Sequence, residues 1–458
     1  MTSIQHILTR STDFFNSLLQ SIVTKQSTMA DLTQATEAFV RKLGQDILTE
    51  VLEQADEALY ETVKPRHAYQ VKEKRRARTL VTTFGEITFH RRYYRDVQTH
   101  AYTYLLDDWC QLPPYSRIDV SCQAQIADYA KDYSYAKAVK LATPASLSRQ
   151  SAKQILDRIG VLPNTAAPLP EPRKEISHVY VEADEAHIAI QKDRNRQLRQ
   201  AYVYESKKVV GKNRRELTEK RVFTGYGNLW PELEAYLYSI YGEPQVTILG
   251  DGAAWIQGGT AYIPYSHCVM DGFHAMKYLR NIAGNGAMRP LYEAILADDP
   301  AQFCREVAKK KRYSPQRKTG IAKGKQYVLN HWQSIRQWLQ HPETYSSSTE
   351  GHVSHLLAAR LSSRGMGWSK KGAAQVARLR TFKENGGNVQ NYVIEHLVKK
   401  PAVMPAVEPQ ALARQSQHHR LFYGTYDANH CFALPGSEEA LHGSWMKGIK
   451  NGGYHHIS

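Results

Sequence analysis

The chain has 458 residues, enough for two to four domains rather than one continuous core. Its 60 Lys and Arg outnumber 44 Asp and Glu, and a net charge of +16 with a pI near 9.4 disfavours basic partners and favours a polyanion, nucleic acid first. No run reaches the roughly 18–20 apolar residues of a membrane span, the opening MTSIQHILTRSTDFFNSLLQ lacks a signal peptide's basic start, and the five cysteines form no C-x-x-C pair, so a soluble cytoplasmic chain without membrane partner, zinc site or disulfide framework is expected.

Leu32, Phe39, Leu43, Ile47, Val51, Ala55 and Leu59 recur at helical spacing and predict an amphipathic helix over 31–62. Its apolar stripe fits either the domain core or another subunit. The basic run KEKRRAR (72–78) leads into alternating residues on both sides of Gly85, which predict a hairpin. Arg75, Arg76, Arg78, Arg91, Arg92 and Arg95 on such a hairpin suit a phosphate backbone, where each neutralised phosphate releases a counterion. The same charges would equally suit a solvated edge protected from aggregation.

From Ser121 to Gly160 the text is helical with a break near Thr143-Pro144, the layout of a helix-turn-helix. Arg149 and Gln150 open its second helix, where these side chains can reach guanine and adenine edges, although most helix pairs bind nothing. Pro-rich PNTAAPLPEP (163–172) reads as a linker.

Strand text follows over Val179–Ile190, Ala201–Tyr204 and Arg221–Phe223, with charged loops between, then a helix over Pro231–Tyr241. Val246–Leu249 ends in Gly250-Asp251-Gly252, and a strand near Ser266–Met270 passes into a helix at Asp271. Three strands, helix, strand, acid, strand is the order of an RNase H-like fold, in which the positions of Asp184 and Asp251 become neighbours. Two carboxylates so placed can hold Mg²⁺, a hard ion that prefers oxygen ligands and, in pairs, stabilises both the attacking and the leaving oxygens of a phosphodiester. Asp-Gly is also a common turn, and Glu182 and Glu185 offer rival carboxylates beside Asp184.

Asp271 and His274 form a D-x-x-H pair, for which an N-cap role of Asp271 is the simpler account. Trp255 suits either base stacking or a core. Between His274 and Gln340 the text is helical, including 290–297, 301–311 and 327–339, and carries the basic stretch KKKRYSPQRKTGIAKGK (309–325), a candidate DNA contact or a solvated loop. Arg360, Arg364, Lys370 and Lys371 suit a phosphate-binding surface or a solvated helix face.

The strings VEADEAH (181–187), GDGAAWI (250–256), DGFHAMKYL (271–279) and STEGHVSHLLAARLSSRGMGWS (348–369), with RRYYRD (91–96) and LSRQSA (147–152), resemble the ISLre-type insertion-sequence transposases, a bacterial DDE family related to Mutator-like elements. The likeness spans nearly the whole chain. It implies an RNase H-like catalytic domain with a helical insertion, an N-terminal DNA-binding region, and strand cleavage and transfer dependent on Mg²⁺, with Mn²⁺ as a substitute and two ions per site. It implies the acids Asp184, Asp251 and Glu350 as metal ligands, with His274 an accessory to catalysis. Glu343 is the rival third acid, and a first-turn acid favoured by the helix dipole is the simpler account of Glu350.

The expected architecture is therefore multidomain α+β. A helical segment with a basic hairpin occupies 1–100, a helix-turn-helix-like region 101–162, a linker 163–173, and an RNase H-like domain 174–400 with an insertion over about 274–345, followed by a tail over 401–458. The expected DNA contacts are Arg75, Arg76, Arg91, Arg92, Arg149, Gln150, Arg360 and Arg364, and the expected DNA is the element's terminal inverted repeats and its target. Pairing two ends calls for a homodimer or larger assembly. An inactive DNA-binding regulator and an RNase H-like nuclease or resolvase remain the alternatives.

Overall fold

The computed structural model describes residues 3–24, 27–211, 214–313, 315–342, 354–362 and 367–398. It is a mixed α/β protein whose described residues divide into two compact units, one within 1–49, 78–88 and 111–400, the other of 50–77 and 89–110. Among the described residues no helix is long and apolar enough to cross a membrane.

Helices α1 (Ser3–Val23) and α2 (Met29–Val63) come first, and α2 matches the predicted amphipathic helix. Strands β1 (Tyr69–Thr82) and β2 (Gly85–Asp96) form the predicted hairpin, far longer than the alternation around Gly85 suggests. Gly85 stands at φ +125°, where a side chain is strained, and the Thr82 hydroxyl ties the turn by donating to its carbonyl at 2.9 Å. In the second unit, β3 (Tyr102–Thr103) pairs antiparallel with the end of β2, and α3 (Leu105–Trp109) follows.

In the first unit, α4 (Val120–Ala130), α5 (Tyr135–Ala142) and α6 (Arg149–Ile159) form three short helices where the sequence suggests two. Asp119 and Ser134 supply the extra start, since their side chains accept from Cys122 N at 3.0 Å and Lys137 N at 3.4 Å. The Pro-rich segment after α6 is not a free spacer. Asn164 is buried and exchanges hydrogen bonds with the backbone of Thr224, while the Arg221 guanidinium donates to the carbonyls of Ala167 and Pro168.

A five-stranded mixed sheet organises the rest: β4 (His178–Ile188), β5 (Arg196–Tyr204), β8 (Arg221–Gly225), β9 (Gln245–Gly250) and β10 (Ser266–Met270), in the order β10-β9-β4-β5-β8. The β4–β5 and β5–β8 pairs are antiparallel; β4–β9 and β9–β10 are parallel. The charged segment between β5 and β8 is a separate two-stranded ribbon, β6 (Ser206–Gly211) with β7 (Arg214–Thr218), where charge had suggested a loop.

Alternation along β4 and β5 feeds two cores. Val179, Val181, Ala183, Ala201 and Val203 meet α7 (Trp230–Tyr241), while Ala186, Ile188, Leu198 and Tyr204 join a cluster shared with α4–α6, α14 (Lys370–Glu384) and α15 (Val389–Leu397). After the short α8 (Ala254–Gln257), a third core lies over β9 and β10 and takes in α9 (Gly272–Ala283), α10 (Arg289–Leu296), α11 (Pro300–Tyr313), α12 (Lys318–Asn330) and α13 (Trp332–Gln340). The text at 327–339 suggests one helix, yet the chain breaks at His331 (φ −119°, ψ 28°) between α12 and α13.

Candidate active site

Parallel pairing sets Glu182 across from Leu249, so the register carried two places further puts Asp184 on β4 across from Asp251 at the end of β9. Met270 pairs with Gly250, which places Asp271 beside Asp251 on the other side. Three carboxylates thus meet at one edge of three adjacent strands. A Cβ on Gly250 would stand 3.0 Å from the Ala183 carbonyl, so glycine permits β9 to lie this close to β4.

The electrostatics register this meeting. Burial, with the negative charges of Asp251 and Asp271 adding to it, pushes the Asp184 carboxyl up to about 6, against the Glu185 N–H that donates to it at 2.7 Å and the His274 imidazole. His274 moves up as well, first through its contact with Asp271 (Nδ1 to Oδ2, 3.2 Å) and then through the charges of the acids, with burial opposing. Asp271 also caps α9, accepting from Phe273 N at 3.1 Å, so the capping and site roles coexist.

Three acids crowd the β4 text, and the fold separates them. Glu182 has no solvent exposure; the Tyr204 hydroxyl donates to it at 2.9 Å and Lys207 Nζ lies 3.1 Å away. Glu185 points to the opposite face, where it accepts from Trp255 Nε1 at 2.9 Å and from Gln197. Trp255 is half-buried against the α7 core, its ring 5.0 Å from the Arg199 guanidinium carbon. Only Asp184 of the three is turned to Asp251.

Residues the sequence reading passed over complete the surroundings. Gln200 pairs with Asp184 in the β4–β5 register, is 1% exposed, and neither polar atom of its amide has a hydrogen-bond partner among the described residues. A polar residue alternating with Leu198 and Tyr202 on the same buried face of β5 was its signal. The Tyr327 hydroxyl donates to the Asp251 carbonyl, and its ring stacks on Tyr278 at 3.6 Å. Asp251 Oδ1 accepts from Ala253 N at 2.8 Å, and the next residue, Gly252, takes φ +85° beneath the His331 ring.

Glu350, its rival Glu343, and Arg364 lie outside the described residues. The helical text after Glu350 is described from Ser354 on, as a π-helical turn, Ser354–Ala358, running into Ala359–Leu361. Leu356, Leu357 and Leu361 are buried in the same core as Ala186 and Ile188. Among the described residues no group of three or more His, Cys, Asp or Glu side chains is arranged to hold a metal ion.

A family model described as Uncharacterised protein family (UPF0236) matches residues 23–397. The chain belongs to the UPF0236 family. Three UPF0236 proteins of Caldanaerobacter subterraneus subsp. tengcongensis are similar to it. One is 29% identical over 384 residues, 81% of each chain. A second is 29% identical over 381 residues, 81% of this chain and 80% of its own. A third is 27% identical over 403 residues, 84% of each, and its name spans eleven locus designations. The solved Drosophila P element transposase strand transfer complex aligns with 68% of this chain and 87% of its own at 13% identity and TM-score 0.23, a likeness too shallow to carry an argument.

In this UPF0236 chain the candidate cationic residues have unequal surroundings. Arg91 is buried with its Nε 2.8 Å from Asp107 and its guanidinium carbon 3.9 Å from the Tyr104 ring centre. Arg92 lies 2.6 Å from Asp56, contacts Glu57, and covers Tyr60. Arg76 sits over Tyr93 and 3.8 Å from Glu73, and Arg75 is 3.2 Å from His90 Nδ1; both are exposed. Arg360 is buried, donating to the Ala130 carbonyl at 3.3 Å and covering the Trp368 ring. Arg149 and Gln150 are exposed on the first turn of α6 and line a cleft of about 490 Å³ with Lys153, Trp368 and Gln375.

Proposed function

We propose that this chain is a DDE-type transposase of an insertion sequence, similar to the ISLre type, which cleaves the ends of its element and joins them to target DNA. The observation that carries the reading is the register-fixed meeting of Asp184 and Asp251 at the edge of a sheet ordered β10-β9-β4-β5-β8. With β8, β5 and β4 antiparallel and β9 and β10 parallel to β4, this order supports an RNase H-like domain, and the helices α10–α13 support the insertion. The charge of +16 suits a DNA partner. One relative's name covering eleven loci in one genome suits a mobile element.

Asp184 and Asp251 would hold Mg²⁺, or Mn²⁺ in its place, with Glu350 as the third carboxylate of a two-ion site. The donors fit the ion: hard oxygens, with the Asp184 carboxylate disfavoured by burial first and by the charges of Asp251 and Asp271 after it, a cost that a divalent cation would offset. When bound, the ions supply a nucleophile at neutral pH and charge stabilisation at the phosphate. The chain's own part is to hold the carboxylates on rigid strands and to keep Asp271 and His274 hydrogen-bonded beside them. In cleavage a water oxygen bonds to phosphorus as the P–O3′ bond breaks and O3′ takes a proton. In transfer that 3′-hydroxyl attacks a target phosphodiester, whose own P–O3′ bond breaks. Arg149 and Gln150 read base edges, and Arg75 and Arg76 meet phosphates.

The test uses the full chain with duplexes bearing the DNA that flanks its reading frame. Metal-dependent nicking at the element boundary is expected, abolished in Asp184→Asn, Asp251→Asn and Glu350→Gln with DNA binding retained. Absence of any cleavage by a folded, DNA-binding wild type would overturn the reading. Near-normal cleavage by Glu350→Gln beside a dead Glu343→Gln moves the third ligand to Glu343.

A further inference from the structure

We infer that the helical hairpin of α1 and α2 is the surface through which two copies of this chain pair. Nine of the 21 residues of α1 are Ile, Leu, Phe or Val, yet no described residue between 7 and 49 is buried. Helices owe most of their stability in proteins to a covered apolar face. This hairpin covers little of its own.

The apolar residues that stay exposed on it have a pattern. Phe14 stacks on Phe39 at 4.0 Å and Arg10 pairs with Asp46, which fixes the two helices as antiparallel and identifies their facing positions. The exposed apolar residues follow those positions by one: Phe15 after Phe14, Val40 after Phe39, Ile47 after Asp46. At about 100° per residue each lies a quarter-turn from the partner helix. Because the helices run in opposite directions, both quarter-turns open to the same side of the hairpin. Leu8 and Ile22 stand seven residues either side of Phe15, and Val40 and Ile47 are also seven apart, all five between 43% and 51% exposed. The result is a two-helix-wide apolar face with the seven-residue spacing by which helices interlock.

Charge selects the occupant. Residues 1–49 hold four basic and four acidic side chains, so the whole of the +16 lies beyond Thr49. DNA is not drawn to a neutral apolar face, whereas two copies meet there without repulsion. A seam of this spacing is complemented by another of the same spacing, and the hairpin itself supplies one when two chains are related by a two-fold axis, closing a four-helix bundle. The inference stands on the hairpin alone and does not depend on the acid cluster.

Sedimentation velocity of the full chain without DNA, at high salt, tests it. The wild type is expected as a dimer. Phe15→Glu/Ile47→Glu and Phe15→Lys/Ile47→Lys are each expected to weaken association by about 100-fold or more, since a charge replaces a buried anchor. An equal mixture of the two should pair again, whichever helix faces which, and that rescue would be impossible for misfolded chains. A monomeric wild type, with the face bare or covered by its own residues 401–458, overturns the inference. So do charge variants that associate as the wild type does, or a mixture that stays monomeric.

Discussion

Lys207 reaches to within 3.1 Å of Glu182, a carboxylate with no solvent exposure that stands two places before Asp184 on the same face of the same strand. The two acids share a strand and differ in what surrounds them. Glu182 is held by Tyr204 and Lys207 at the base of the β6–β7 ribbon, while Asp184 faces other acids. Replacing Glu182 by Ala leaves a cation and a hydroxyl facing an apolar interior, a loss on the order of 3–5 kcal/mol. Thermal unfolding should show a large fall in Tm for Glu182→Ala, and Glu182→Gln, which keeps a hydrogen-bond acceptor, should fall less and retain cleavage.

Asp184 should behave in the opposite sense. Its folded pKa, about 6, lies above the ordinary value of 3.8, so the folded state binds this proton more tightly than the unfolded state. Below pH 3.8 both states are protonated and the group contributes nothing; between pH 3.8 and about 6 the unfolded state ionises first, and stability falls as pH rises. In chelator at pH 7.5, Asp184→Asn should therefore raise Tm by about 2–5 °C. Added Mg²⁺ should raise the Tm of the wild type and not that of the variant. A variant less stable than wild type in chelator would contradict this account.

Two arginines expected at DNA should separate. Arg91 neutralises Asp107 in a buried pair, so Arg91→Ala strands a carboxylate and should lower stability by about 3 kcal/mol. Arg149 is exposed at the start of α6, and Arg149→Ala should leave Tm unchanged. Its effect should appear in fluorescence anisotropy as a loss of preference for end sequence over random duplex of about tenfold. Equal losses on both duplexes would assign it to the backbone.

Gly252 cannot accept a side chain. Its φ of +85° favours glycine, and a Cβ would meet the His331 ring at 2.6–3.0 Å. Gly252→Ala should cost about 1–3 kcal/mol and displace the Asp251 loop, reducing kcat for cleavage more than DNA affinity. Unchanged kcat would mean that the His331 side of the loop yields without moving Asp251.

Much of the fold is legible in the chain because the signals are local. Val246–Leu249 followed by Gly-Asp-Gly, the strand at Ser266–Met270, the Asp271 cap, the turn at Gly85 and the stripe of α2 each depend on a few neighbouring residues, and each stands where periodicity and capping place it. What the tertiary structure decided is burial, which depends on residues far away in sequence. VEADEAH contains three carboxylates that no local rule ranks. Tyr204 and Lys207 claim Glu182, Trp255 claims Glu185, and the register with β9 turns Asp184 toward Asp251. Likewise a run of arginines reads as one basic surface until Asp107, Asp56 and Tyr60 take Arg91 and Arg92 out of it. Charge and period are written along the chain, but the burial and pairing that set Glu182, Asp184 and Glu185 apart exist only once distant strands have paired.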